Sequence, residues 1–591
     1  MRGVAAVLGR SRRADRETVA RMLAASPHRG DRQAVASAGA CVVGVSERGG
    51  SNEATLASDD ELVVGFAGAL DNHAELATRF GLETGQAAQP ADVVLAAFRA
   101  VGTETPPLLR GTYACVVSDG ARIWAFRDHI GLETLFHRDE ADAVYVASEA
   151  KQVLGGAEMS PEPDVDVVDA LFYGDLEDPT VCALRGVRRL VAASLLTADA
   201  DGLRVSPYWD PEALLETARL SPEEAMERFR ELFHQAVGRT LTGRDAVSLS
   251  GGVDSPPVAV YGNREYVRRF GRPIPALSAV YPTFPESDET DYIQLVAERL
   301  GLPLHTYEPG SQRLDRLQFW LKLFDGPWST WSPEGTAERC TQAQAHGFTT
   351  IVSGEFAEQV SAVRAYLVPH LLWRGRFRQA AAQLRSQRGV GISRRTLVSE
   401  LAEAVTPRVL QARRFRRNPP GFLPPWIDLA RIGARDAGHA LPARRRWISA
   451  QLPFFGADPI GEADVYSHAL YGIRARRPWA DVDVWEFFLG LPAEHKFPDY
   501  RIKGFVRNAF RGVVPDEILD RRDKTYIDRW FQEMAFDYPA VRHWVSRDGF
   551  RIRGVDYERL RAELEREEMP LPHYLWARDL ACVHAFIDLW S

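Results

Sequence analysis

The sequence predicts an α/β protein of two unlike halves. A strand-rich, antiparallel N-terminal domain precedes a parallel-sheet α/β domain that ends in helices. Three observations carry this reading. Short apolar runs separated by tight turns fill residues 1 to about 205. A turn-rich joint, Ser206-Pro207-Tyr208-Trp209-Asp210-Pro211, then changes the texture. Beyond it, strands and helices alternate, which implies a parallel sheet covered on both faces. The expected division is 1–205 and 206–591, since 591 residues are long for one domain.

In the first half, Cys41–Val45, Glu61–Ala67, Thr112–Ser118, Ile123–Arg127 and Ala143–Ala147 read as strands. Asp92–Ala100 carries apolar residues at helical spacing. Ser221-Pro222-Glu223-Glu224 reads as a helix start, with Ser as cap, Pro at the first helical position and acids in the first turn. That helix runs to about Leu241. Strand Asp245–Leu249, helix Pro256–Phe270, strand Pro275–Val280, helix Asp288–Leu300 and strand Thr349–Ser353 follow. The chain beyond about residue 460 is helical in pattern.

Composition narrows the classes. Apolar residues make up 45% and charged residues 26%, as in soluble globular chains. The formal charge of −8 argues against a generally basic nucleic-acid coat. Twelve arginines do cluster between Arg374 and Arg417, within the stretch 371–418, against two acids, Glu400 and Glu403. Only five of the 72 basic residues are lysine: Lys151, Lys322, Lys496, Lys503 and Lys524. A lysine kept in so arginine-biased a chain marks a place that a guanidinium cannot fill. The five cysteines are scattered, with no CxxC pair and no Cys/His metal spacing, which suits a reducing cytoplasm. MRGVAAVLGRSRR lacks the apolar core of a signal peptide, and no apolar run reaches membrane-spanning length. A cytoplasmic protein is expected, with neither a membrane nor a nucleic acid as partner.

The most informative segment is Val247-Ser248-Leu249-Ser250-Gly251-Gly252-Val253-Asp254-Ser255-Pro256, in which an apolar strand runs into Ser-Gly-Gly and then a helix. Glycines let backbone N–H groups turn toward an anion, and the following helix N-terminus adds partial positive charge. Ser250 and Ser255 can donate hydroxyl hydrogen bonds to phosphate. Asp254 would repel bare phosphate, so it suits a Mg²⁺ ion held against it. The GK[ST] ending of a Walker loop is absent.

This SGGxDS loop resembles that of the ATP pyrophosphatase family, which splits ATP to AMP and pyrophosphate. The Pro256-Pro257 pair stands where relatives often have another hydroxyl residue. Further on, Ile351-Val352-Ser353-Gly354-Glu355-Phe356-Ala357-Glu358-Gln359 is similar to the SGExxDE segment of asparagine synthetases, with Gln359 in place of an acid. Lys503-Gly504-Phe505-Val506-Arg507 and Pro515-Asp516-Glu517-Ile518-Leu519-Asp520-Arg521-Arg522-Asp523-Lys524 resemble the C-terminal run of the same group, its closing Arg-x-Lys read as Arg522 and Lys524. Tyr471–Asp481 is similar to the family's GxExRxPFxD run, with Arg474 where Glu is usual. The resemblance implies Leu249, Ser250, Gly251, Gly252, Val253, Asp254, Ser255, Val280 and Gly354 as residues binding ATP. It implies Asp254 and Glu358 as ligands of Mg²⁺, and Lys524, Glu355 and Lys503 as catalytic. In such relatives the lysine matching Lys524 stabilises developing negative charge, and Glu355 would orient the amine or take its proton.

The N-terminal half resembles a class II glutamine amidotransferase through His28-Arg29-Gly30-Asp31, Arg127-Asp128-His129-Ile130-Gly131-Leu132 and Ala147-Ser148-Glu149-Ala150-Lys151. Yet Arg2 stands at the nucleophile position, and Ala67-Gly68-Ala69 replaces the segment with the oxyanion-hole Asn. No glutaminase activity is expected. The implied fold is an αββα sandwich joined to an ATP-pyrophosphatase-like α/β domain, with an arginine-rich helical insertion at about 365–460. Relatives with an inactive first domain close rings, and the added length favours a large substrate. The expectation is therefore a lasso peptide cyclase. It would adenylate an Asp or Glu side chain of a leader-cleaved core peptide and close a macrolactam with the N-terminal amine. The precursor peptide is the expected partner, with a leader peptidase or leader-binding protein as a further candidate to dock on the arginine-rich stretch. A β-lactam synthetase-like ligase, an ammonia-dependent asparagine synthetase-like ligase, and a nucleic-acid-binding or scaffold protein are the alternatives.

Overall fold

The computed structural model describes residues 2–11, 14–48, 55–82, 89–327, 333–361, 366–386, 401–402, 421–432, 447–448, 451–452, 459–498, 501–521, 525–547 and 549–590. Among the described residues the N-terminal half holds twelve strands: β1 (Gly3–Gly9), β2 (Arg32–Ala38), β3 (Cys41–Glu47), β4 (Leu56–Ser58), β5 (Val63–Leu70), β6 (Gly111–Ser118), β7 (Ile123–Arg127), β8 (Phe136–Asp139), β9 (Ala143–Ala147), β10 (Arg188–Arg189), β11 (Ser194–Ala198) and β12 (Leu203–Pro207). They form two antiparallel six-stranded sheets, ordered β10-β8-β9-β1-β3-β2 and β12-β11-β7-β6-β5-β4.

Strand periodicity explains the layering. Successive side chains of β1 point to opposite faces. Val4, Ala6 and Leu8 meet Val63, Val116 and Ala125 between the sheets. Ala5 and Val7 face outward onto Val19, Met22 and Leu23 of the helix Arg16–Ala24. On the far side, Phe66, Cys115 and Val117 pack on Val94 and Phe98 of the helix Pro90–Val101. The result is the αββα sandwich. Sequence reading missed β1 because both its faces are buried, so GVAAVLG shows no polar alternation.

The second half centres on a parallel sheet of β13 (Asp245–Ser248), β14 (Ala276–Ala279), β15 (Leu304–Tyr307), β16 (Thr350–Ser353) and β17 (Arg474–Arg476), ordered β15-β14-β13-β16-β17. The registers pair Ser248 with Leu277 on one side and with Ser353 on the other. Val247 and Val352 face the helices Pro222–Thr240, Ser255–Phe270 and Thr290–Leu300. Ala246 and Ile351 face Cys340 and Ala343 of the helix Pro333–Ala345. The helix expected at Ser221 starts there. The Ser221 hydroxyl accepts the Glu224 N–H at 3.2 Å, and the Glu224 carboxylate accepts the Ser221 N–H at 2.8 Å.

Of the arginine-rich stretch, 387–400 and 403–418 lie outside the described residues. Within the described part, Arg374 pairs with Glu216 at 2.6 Å and Arg376 with Glu494 at 2.5 Å. Among the described residues no helix is long and apolar enough to cross a membrane.

Candidate active site

Strand order reverses between β13 and β16. From β13 the chain moves out through β14 to β15, then returns to β16 on β13's other edge. The loops leaving such neighbours diverge at the carboxyl ends of the strands and leave a crevice. A cavity of about 820 Å³ opens there. Both candidate motifs end their strands at it: Ser250–Ser255 after β13 and Gly354–Gln359 after β16.

Gly354 sets how closely the loops meet. A Cβ at this position would stand 2.7 Å from both the Asp254 carbonyl carbon and the Ser255 nitrogen. Only glycine lets the second loop lie against the backbone of the first. Trp479, fully buried, donates its indole N–H to the Asp254 carbonyl at 3.0 Å and fixes the first loop from below. Inside that loop the Ser250 N–H donates to the Ser255 hydroxyl at 2.8 Å, and the two hydroxyls lie 3.1 Å apart.

Leu249, Ser250, Asp254, Ser255 and Gly354 line the cavity. Gly251, Gly252 and Val253 form the loop but are not part of its wall. Val280 lies between two residues of the cavity wall. It packs against the core on the helix side, and its N–H donates to Tyr307 O at 2.9 Å; its neighbours Ala279 and Tyr281 line the cavity.

Lys503 sits behind Asp254, 7% exposed. Its ammonium donates to both Asp254 oxygens, at 2.7 and 2.5 Å, and lies 3.8 Å from Glu358. Burial pushes the Asp254 carboxyl above its usual range, against the pull of Lys503. One cation thus gathers the two carboxylates expected to hold Mg²⁺. Among the described residues no group of three or more His, Cys, Asp or Glu converges as a self-sufficient metal site. Two carboxylates beside a glycine loop at a helix start nevertheless fit Mg²⁺, which takes one or two carboxylates and completes its shell with phosphate oxygens and water. Lys524 and Arg522 lie outside the described residues.

Glu355 faces the cavity from the other wall. It accepts Arg339 Nη1 at 3.0 Å and Arg477 Nε at 2.8 Å. Burial alone would raise its carboxyl, but the two guanidiniums hold it down at about 2. So anchored, it is a fixed anion and a poor proton acceptor, which argues against the proton-taking part of its expected role. Arg477 also reaches Asp464, and His468 stands 3.3 Å from Asp464 on its own helix. Burial would lower the His468 imidazole, yet Asp464 outweighs it and holds it up at about 10. Arg339, Arg477, Asp464 and His468 escaped sequence reading. Arg339 and Arg477 lie 16 and 122 residues from Glu355, so no local pattern marks them.

In the N-terminal domain the family-like residues act as internal ties. Glu149 is buried beneath Ser26, His28, Arg29 and Lys151, at 2.7, 2.7, 2.5 and 3.0 Å. Lys151 spans to Asp325 of the second domain at 3.0 Å. Asp128 accepts the N–H groups of Gly131, Leu132 and Glu133 at 2.7, 2.9 and 2.9 Å. Arg2 is buried at the head of β1, and its carbonyl accepts Arg29 Nη1 at 3.0 Å. It lines a cavity of about 40 Å³ with Gly68, Glu133, Arg474, Arg476 and Arg477 between the domains. Arg476 is ion-paired with Asp71, and Asp481 with Arg239.

Comparison with known proteins covers both halves. A glutamine amidotransferase domain family matches residues 1–209, and an asparagine synthase family matches residues 228–590. Asparagine synthetase (glutamine-hydrolyzing) 3 of Bacillus subtilis strain 168 is 24% identical over 437 residues, which cover 71% of this chain and 67% of that protein. Among solved structures, the B. subtilis glutamine phosphoribosylpyrophosphate amidotransferase aligns at 13% identity and TM-score 0.27, over 51% of this chain and 80% of its own. A class-II glutamine aminotransferase domain protein from Silicibacter pomeroyi aligns at 14% identity and TM-score 0.21, over 35% of this chain and 98% of its own.

Proposed function

The chain belongs to the asparagine synthase family, and on that premise we propose that it is an ATP-dependent, AMP-forming amide ligase whose amine is not drawn from glutamine. The observation that carries this is the meeting of the two loops at Gly354, which sets Asp254, Glu358 and Lys503 together at the mouth of a phosphate-binding turn. A carboxylate resists nucleophiles, so it must first be activated. In this reading the substrate carboxylate attacks the α-phosphorus of ATP, pyrophosphate leaves, and an amine displaces AMP from the acyl-adenylate. The Ser250–Ser255 loop and the start of its helix bind phosphate oxygens. Asp254 and Glu358 would hold Mg²⁺, which offsets charge on the departing pyrophosphate. Lys503 keeps those carboxylates in register, and a bound substrate that fills the cavity would shield the adenylate from water.

Arg2 at the nucleophile position and the Ala67-Gly68-Ala69 segment of β5 supply neither thiolate nor side-chain amide. The amine then comes from free ammonia or from the acid substrate itself. The B. subtilis relative, named as a glutamine-hydrolyzing asparagine synthetase, supports a small amino acid as the acid substrate, with ammonia then standing in for glutamine. The narrower reading, in which one peptide carries both groups and closes a macrolactam, rests on the inactive first domain and the added chain length. There, holding amine and acyl carbon together supplies the effective molarity. A leader peptidase or leader-binding protein belongs with that reading.

The test is to incubate the protein with ATP, Mg²⁺ and either aspartate with ammonium or a candidate core peptide. The ligase reading expects AMP and pyrophosphate. Asparagine formation selects the first substrate class, and loss of one water from the peptide selects the second. ADP as the nucleotide product overturns both.

A further inference from the structure

One N–H of the phosphate loop is already held by a carboxylate. Glu289, just before the helix Thr290–Leu300, accepts the Gly251 N–H through Oε2 at 3.0 Å. Its other oxygen accepts Arg521 Nη1 at 2.7 Å, and the same nitrogen donates to Gly251 O at 2.9 Å. The guanidinium lies 4.3 Å from the Tyr292 ring centroid, and its other terminal nitrogen meets the Thr525 hydroxyl. Packing is tight, since a Cβ on Gly251 would stand 2.8 Å from Glu289 Cβ and 2.9 Å from Tyr292 Cβ. Glu289 and Thr525 both line the cavity.

A backbone N–H and a buried guanidinium converging on one oxyanion make an anion subsite, and here the anion is a side chain. The Gly251 N–H has one hydrogen to give, so Glu289 and a phosphate compete for it. A carboxylate beside a polyphosphate also costs free energy through like-charge repulsion. Arg521, with five donors, can bind either anion.

Resting on the nucleotide reading above, we propose that Glu289 occupies the subsite of the terminal phosphates of ATP and that these phosphates displace it. Arg521 then passes from Glu289 to the pyrophosphate moiety. Glu289 is a competitor built into the loop, and Arg521 is a phosphate-binding residue. The contact weakens binding of pyrophosphate-bearing ligands and leaves AMP untouched.

Calorimetric titration of the full chain with ATP, inorganic pyrophosphate and AMP, each with Mg²⁺, tests this. Glu289→Gln is expected to tighten pyrophosphate and ATP by about tenfold or more, as for removal of one like charge at contact distance. AMP affinity stays unchanged. Glu289→Asp, which withdraws the carboxylate while keeping the charge, tightens the same two ligands and carries the test if the Gln variant fails to fold. Arg521→Gln weakens both by a similar factor without affecting AMP. Wild-type binding of pyrophosphate that Glu289→Gln or Glu289→Asp leaves equal or weaker overturns the inference and makes Glu289 a brace. Failure of the wild type to bind ATP or pyrophosphate at all overturns the nucleotide reading and this inference with it.

Discussion

Lys503 gives its ammonium to both oxygens of Asp254 while standing 3.8 Å from Glu358. The three residues come from the loop after β13, the helix Ala357–Ser361 that follows β16 and the segment before the helix Gly504–Ala509. A compact point charge suits that position, and a planar guanidinium does not. Lys503→Arg is therefore expected to lose activity nearly as fully as Lys503→Met, each by about 10²- to 10³-fold in substrate-dependent AMP formation. Asp254→Ala loses it as completely. Arginine at 503 with near-wild-type rates would show that position 503 contributes charge alone.

Gly354 governs the approach of the two loops. A methyl group there meets backbone at 2.7 Å, and backbone cannot rotate away as a long side chain can. Gly354→Ala should destabilise the protein by about 1–3 kcal/mol, the usual cost of forcing atoms into a packed site. It should also weaken ATP binding by separating Glu358 from Asp254. Thermal denaturation and nucleotide titration check the two effects. A variant that melts and binds as the wild type does would mean that the loops have slack.

The strand-to-helix loop Ser250–Ser255 was legible as an element because its signal is local: an apolar strand, two glycines and a helix start in one decapeptide. The loop after β16 could be read for the same reason. The opposite wall could not. Arg477 meets Glu355 across 122 residues and Asp464 across 13, and an arginine among many carries no mark of its partner. Arg521 shows the limit differently. Spacing drew attention to Arg522 and Lys524, while the neighbour at 521 holds Glu289 and the Gly251 carbonyl. Strand β1 was missed because burial on both faces removes the alternation that marks a strand.

Glu355 is anionic because Arg339 and Arg477 outweigh its burial and hold its carboxyl at about 2. Its deprotonated form is favoured down to that pH, so Glu355 gives the wild-type pH–rate profile no acid limb near neutrality. Arg477→Gln removes one cation and leaves the desolvation. The carboxyl pKa then rises, and an acid limb should move up into the measurable range. Arg477→Lys, which keeps the charge, should restore most of the wild-type profile. If Arg477→Gln lowers the rate equally at every pH, Arg477 does not act through the ionisation of Glu355.

His468 gives the last prediction, and its direction follows from which form folding favours. Burial opposes the imidazolium, yet the Asp464 carboxylate 3.3 Å away holds its pKa at about 10, against 6.5 for an exposed histidine. The folded protein therefore keeps a proton that the unfolded chain releases. The resulting stabilisation is fully present below about pH 6.5, declines as the unfolded histidine deprotonates, and is lost as pH rises through about 10. His468→Gln should cost about 3–5 kcal/mol near pH 6, the usual penalty for removing one partner of a buried pair. That difference from wild type should shrink steadily toward pH 10. Urea unfolding of both proteins across this range measures it. A difference independent of pH would mean that His468 stabilises the fold by packing alone, with its charge playing no part.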